Sequence, residues 1–99
     1  MKITCFYYIS YPNCSPRDPL IAESEVYVEV SESEDGSIDN FDWLYKLNIC
    51  TVGFLEIALK SRPFHCKRSL IVVSRFDDPT ITEALEALLP NIDEFADRE

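Results

Sequence analysis

Two stretches of strict alternation constrain this chain more than anything else in it. In Glu25–Val30 (EVYVEV), Val26, Val28 and Val30 fall on one face, with Glu25, Tyr27 and Glu29 on the other. In the second stretch Phe41, Trp43, Tyr45, Leu47 and Ile49 recur at every other position. Successive side chains of a strand point to opposite sides of the pleat, so a period of two marks a strand with one buried face. Residues 31–40 (SESEDGSIDN) are polar and carry the turn pair Asp35-Gly36. The two strands therefore predict an antiparallel hairpin closed by a long acidic loop.

The remaining segments supply the rest of a sheet and its cover. Residues 2–9 (KITCFYYI) are rich in strand formers, while Pro12, Pro16 and Pro19 make residues 10–22 an irregular connection. Thr51 reads as the cap of a helix running to about Lys60, with Phe54, Leu55, Ala58 and Leu59 as its apolar stripe and Pro63 closing it. Leu70-Ile71-Val72-Val73, within residues 69–75, is short and β-branched and predicts a buried central strand. Asp78 is expected to cap a second helix with Pro79 at its first position. Ile81, Ala84, Leu85, Leu88 and Leu89 give that helix one apolar face, and Pro90 ends it. Residues 91–99 form a last helical turn or a frayed acidic tail. The expected fold is a single α+β domain over residues 1–99, a mainly antiparallel sheet of about four strands with two helices packed on it. Residues 25–30 are read as an alternating edge strand, able to pair across a two-fold axis in a homodimer or with a partner chain.

Charge narrows the function. The 99 residues hold 18 acidic and 9 basic side chains, a formal net charge of −9. That balance argues against direct binding of nucleic acid or of an anionic membrane, both of which need a basic face. No apolar run reaches the roughly 18 residues of a membrane span. The N-terminal apolar stretch is followed by Tyr11-Pro12-Asn13 rather than a small-residue cleavage site, so it is read as the first strand of a cytoplasmic protein. The acids are unevenly placed. Residues 23–42 carry Glu23, Glu25, Glu29, Glu32, Glu34, Asp35, Asp39 and Asp42 and no base, residues 60–75 carry five bases and no acid, and residues 77–99 are acidic except for Arg98. Such a field steers association with a charged partner; the simpler alternative is a solvated face balanced within the molecule.

Signatures of catalysis are sparse. Gly36 and Gly53 are the two glycines, too few for a phosphate-cradling loop. His65 and Cys66 are adjacent in an extended segment and point apart, so they make a poor nucleophile pair. Asp77-Asp78 after an apolar strand resembles a metal-dependent phosphatase site, but capping the following helix is the cheaper role. The cysteines (Cys5, Cys14, Cys50 and Cys66) have no zinc-like spacing and are expected to be reduced. The sequence is accordingly read as a non-enzyme without metal or cofactor.

From Phe41 to Leu89 the order of features resembles a known family. A strand led by aromatics ends in Leu47-Asn48-Ile49-Cys50-Thr51, a helix with Phe54-Leu55 follows, then a basic stretch, Leu70-Ile71-Val72-Val73 with Phe76-Asp77, and an amphipathic helix. This is similar to the Immunity protein 8 family of polymorphic-toxin systems. Val52 stands where the family usually has Pro, and Phe54 where it has Trp. The resemblance implies a small cytoplasmic protein that binds and blocks one cognate toxin, as in contact-dependent growth inhibition, and it carries over no catalytic residue. Acidity adds that the toxin is a nuclease, whose basic cleft an acidic protein can occupy as a phosphate mimic. The partner-binding residues expected from charge are Glu32, Glu34, Asp35, Asp39 and Asp42, with Asp77, Asp78, Asp93 and Glu94 as a second group. The rival reading is an acidic decoy or adaptor for a basic nucleic-acid-binding protein.

Overall fold

A computed structural model describes residues 1–12, 14–32 and 42–99. Its sheet is built outward from β3 (Trp43–Thr51), which pairs antiparallel with β2 (Glu23–Ser31) along one edge. Opposite pairs are Val26 with Leu47, Val28 with Tyr45, and Val30 with Trp43, so the apolar faces of the two alternating stretches coincide. The first strand, β1 (Lys2–Tyr8), pairs antiparallel with β2 on its far side. Residues 25–30 are therefore an interior strand rather than an edge, because β1 satisfies the backbone groups that an edge would leave open. A register shift between Ile3 and Cys5 lets Ile3 and Phe6, three residues apart, both pack against the core.

The other edge of β3 is shared. Its C-terminal half pairs in parallel with β4 (Leu70–Val73), and its N-terminal half pairs antiparallel with β5 (Asp97–Arg98). The chain reaches β4 through α1 (Val52–Ser61), as a parallel connection requires. The architecture is a five-stranded, mainly antiparallel α+β fold. Leu70–Val73 is an edge strand, not the central strand its apolar run suggests, since β3 is its one strand neighbour among the described residues, and Val72 is exposed.

The second helix, α2 (Asp78–Leu88), lays Ile81 and Leu85 on the face formed by Val26, Val28, Val30, Tyr45, Leu47 and Ile49. A 3-10 turn at Leu89–Asn91 and the short α3 (Ile92–Phe95) then lead back to the sheet, burying Leu89, Ile92 and Ala96. By contrast α1 adds no residue to this core; Phe54, Leu55 and Ala58 are half-buried and Leu59 is exposed. Among the described residues no helix is long and apolar enough to cross a membrane.

Thr51 ties three elements together. Its Oγ1 accepts from the Phe54 N–H at 3.1 Å as the α1 cap and from the Ala22 N–H at 3.1 Å, while its own N–H donates to the Ala22 carbonyl at 3.0 Å. Two residues on, a Cβ on Gly53 would sit 2.3 Å from the Leu20 carbonyl oxygen, so glycine is what allows residues 10–22 to cross the first turn of α1. The second helix is capped one residue earlier than its sequence suggests. Asp77 has the extended backbone of a cap (φ −141°, ψ 162°) and its carboxylate accepts from Thr80 N–H at 2.9 Å, leaving Asp78 inside the helix.

Thr51→Val keeps the shape, discards the cap and leaves the buried Ala22 N–H without a partner. It should lower unfolding free energy by about 2–4 kcal/mol in urea titrations, with Thr51→Ser losing much less. Gly53→Ala should cost at least about 1–3 kcal/mol, because the backbone of residues 20–21 must move.

Candidate functional site

The candidate carboxylates separate into two groups at opposite ends of the sheet. Glu34, Asp35 and Asp39 lie outside the described residues. Glu32 and Asp42 stand at the root of the connection between β2 and β3, and Asp93 and Glu94 lie in α3 near the same end. Asp77 and Asp78 open α2 beyond the end of β4, where Asp78 meets Tyr8. The eleven residues of α2 at about 1.5 Å each, with the turn that follows, put Asp78 and Asp93 on the order of 20 Å apart.

The first end is a connected network. Asp42 accepts from the Glu32 backbone N–H at 2.8 Å and from the Ser31 hydroxyl at 3.4 Å. The Trp43 indole N–H donates to Glu32 Oε1 at 3.4 Å, and the Arg98 guanidinium lies over the Trp43 ring, 4.0 Å from its centroid. Arg98 also donates to Asp93 Oδ1 at 2.8 Å, and the buried Tyr45 hydroxyl donates to the same oxygen. The hydrogen bond from Tyr45, followed by that from Arg98, holds the Asp93 carboxyl below the usual carboxylate range. Burial first, and then Asp93, pushes the Tyr45 phenol up. β5 makes this network possible, since its pairing with Tyr45 and Lys46 delivers Arg98 to the ring of Trp43.

At the opposite end Asp77 combines its cap with an ion pair to Arg75 at 2.8 Å, and the bond to Thr80 is the main reason its carboxyl lies low. Asp78 accepts from the Tyr8 hydroxyl at 2.5 Å. Burial, and then Asp78, raises the Tyr8 phenol. Tyr8 in turn packs edge-on against the buried Phe76, with ring centroids 4.9 Å apart.

The basic segment is also engaged. Lys67 pairs with Glu23 at 3.7 Å, Arg68 with Asp97 at 3.0 Å, and His65 Nε2 lies 3.1 Å from Glu23 while its ring meets Phe54 edge-on. Among the described residues, balancing within the molecule thus runs from this segment to the start of β2 and to β5. Among the described residues no group of three or more His, Cys, Asp or Glu side chains gathers in a way that could hold a metal ion. Two features escaped the sequence: the β5–Arg98 clasp, and a groove between β1 and α2 that brings Tyr8 to Asp78. The spacing of Asp78, Thr82 and Glu86, four residues apart on one helix, was the available signal for the second.

No family model, curated protein or solved structure matches the chain.

Asp93 yields a pH prediction. A carboxyl held low in the folded state stabilises fully above its unfolded pKa of about 3.9, and that stabilisation is lost as pH falls through the folded value. Tyr45→Phe removes the largest cause of the shift. The fall in urea midpoint between pH 6 and pH 3 should therefore be smaller in the variant than in the parent; an equal fall in both would remove Asp93 from the acid response.

Proposed function

We propose that this protein is an immunity protein that binds one cognate toxin, a nuclease, and neutralises it by stoichiometric occlusion in the cytoplasm. The observation that carries the reading is the end of the sheet where Glu32, Asp42 and Asp93 gather beside Trp43, at the root of the acidic segment 33–41. A half-buried indole flanked by carboxylates is the kind of surface that anchors and orients a basic protein partner. The net charge of −9 supports rapid, steered capture, which a toxin inhibitor needs. The Immunity protein 8 resemblance over Phe41–Leu89 supports the same reading and rests on those residues alone. Exposed ion pairs contribute little singly, so the proposed affinity comes from the cluster and from aromatic burial together.

The test is co-purification with the polypeptide encoded immediately upstream of this protein's gene, with affinity followed from about 50 to 300 mM salt, a range over which the screening length shortens. Binding at about 1 nM or tighter, weakening with salt and abolishing nucleic-acid cleavage at one-to-one stoichiometry, is the expected result. Asp35→Lys with Asp39→Lys should slow association and flatten its salt dependence. No binding to that polypeptide, with several basic proteins captured at similar weak affinity, would replace this reading with the acidic decoy.

A further inference from the structure

β1 is the longest of the three outer strands among the described residues, and its open side borders a groove of about 550 Å³. Ile9 N–H donates to the Glu25 carbonyl at 2.9 Å, which sets the phase of the ladder. Alternation then turns the backbone groups of Tyr7 and Cys5 toward β2, and leaves the N–H groups of Phe6 and Tyr8 on the open side, together with the Phe6 carbonyl, which accepts a long bond from Cys5 Sγ at 3.9 Å. The Tyr8 carbonyl accepts from Tyr11 N–H at 3.2 Å, so the chain folds away at that point and the edge ends there. Phe6, Tyr8 and Tyr11 give the groove an aromatic floor. Its far wall is the α2 column Asp78, Thr82 and Glu86, and among the described residues no Lys or Arg lines it.

We propose that this edge and groove form a docking site for an extended, basic segment of a partner protein, which adds to β1 as a further antiparallel or parallel strand. The dimensions match. Asp78 and Glu86 are eight helical residues apart, about 12 Å along the axis, and two side chains four residues apart on one face of a strand are separated by about 13 Å. Lysines at such positions reach both carboxylates while the backbone pairs with Phe6 and Tyr8. Main-chain bonds supply affinity without regard to sequence, and the two carboxylates select for charge. The groove runs along β1 from Ile3 to Tyr8, and β2 separates that strand from Trp43 on β3, so the site does not depend on whether the partner is a toxin.

The probe is a nine-residue peptide of alternating Val and Thr with Lys at its third and seventh positions, and a control with Glu at both. It is titrated to about 2 mM into the full chain and followed by amide NMR and hydrogen exchange. The Lys peptide should slow exchange of the Phe6 and Tyr8 amides and shift the resonances of Asp78, Thr82 and Glu86. The Glu peptide should bind about tenfold or more weakly. Glu86→Lys, at an exposed position, leaves one carboxylate and one ammonium on the wall and should abolish the preference between the two peptides. Equal binding of both peptides by the unmutated chain, shifts confined to the Glu32–Asp93 end, or no change at the highest concentration would each overturn the proposal. None of those outcomes touches the salt-dependent inhibition by which the immunity reading stands or falls.

Discussion

The nine residues of β3 are the constraint from which the rest of the molecule follows. Both edges of this strand are occupied, one by β2 along its whole length and the other divided between β4 and β5. Its inward side chains, Tyr45, Leu47 and Ile49, are fully or almost fully buried, and its last residue, Thr51, is at once strand end and helix cap. Hydrogen bonds in such a site share partners in a low dielectric, so losing one member leaves others unsatisfied. The same strand positions the candidate site: Arg98 reaches the Trp43 ring because β5 is hydrogen-bonded to Tyr45 and Lys46.

Internal pairing determines how the excess negative charge can act. Asp77 and Asp93 each have an arginine within 2.8 Å, which weakens their local field without removing it. Glu94 has an exposed carboxylate in the first turn of α3. The screening length at physiological salt is about 8 Å, less than half of the roughly 20 Å between the two acidic groups. A partner approaching one end therefore feels little of the other. The two groups are electrostatically separate patches on one chain of net charge −9, rather than one continuous acidic face.

What was legible in the sequence is what local periodicity encodes. Alternation in residues 25–30 and 43–49 gave the paired faces of β2 and β3, and the Ile81–Leu85–Leu89 spacing gave the face of α2 that meets them. Thr51 was readable as a cap because a hydroxyl before an apolar helical stripe has few other roles. With two adjacent acids the choice of cap was wrong by one residue: only backbone angles distinguish Asp77, extended, from Asp78, helical. Leu70–Val73 looked central because an apolar run reports burial on two faces and says nothing about neighbours along the edges. β5 has two residues, too few to show any period, and the Tyr8–Asp78 bond joins positions 70 apart in the chain. Long-range placement of this kind depends on the order of strands, which periodicity does not carry.

An open strand is a hazard as well as an opportunity, since its unpaired backbone groups can recruit another copy of the same chain. Two features of β1 work against that. The shift at Ile3–Cys5 interrupts the regular ladder, shortening the flat stretch on which a second β1 could align. The Asp78–Glu86 column then adds a charge condition: two copies meeting edge to edge would bring two acidic walls together, each on a chain of net charge −9. Like charges facing across an interface cost free energy that backbone pairing must first overcome, whereas a basic strand meets no such opposition. The same carboxylates thus discriminate between partners by repulsion as much as by attraction, and the edge can stay open without joining copies of the chain to one another.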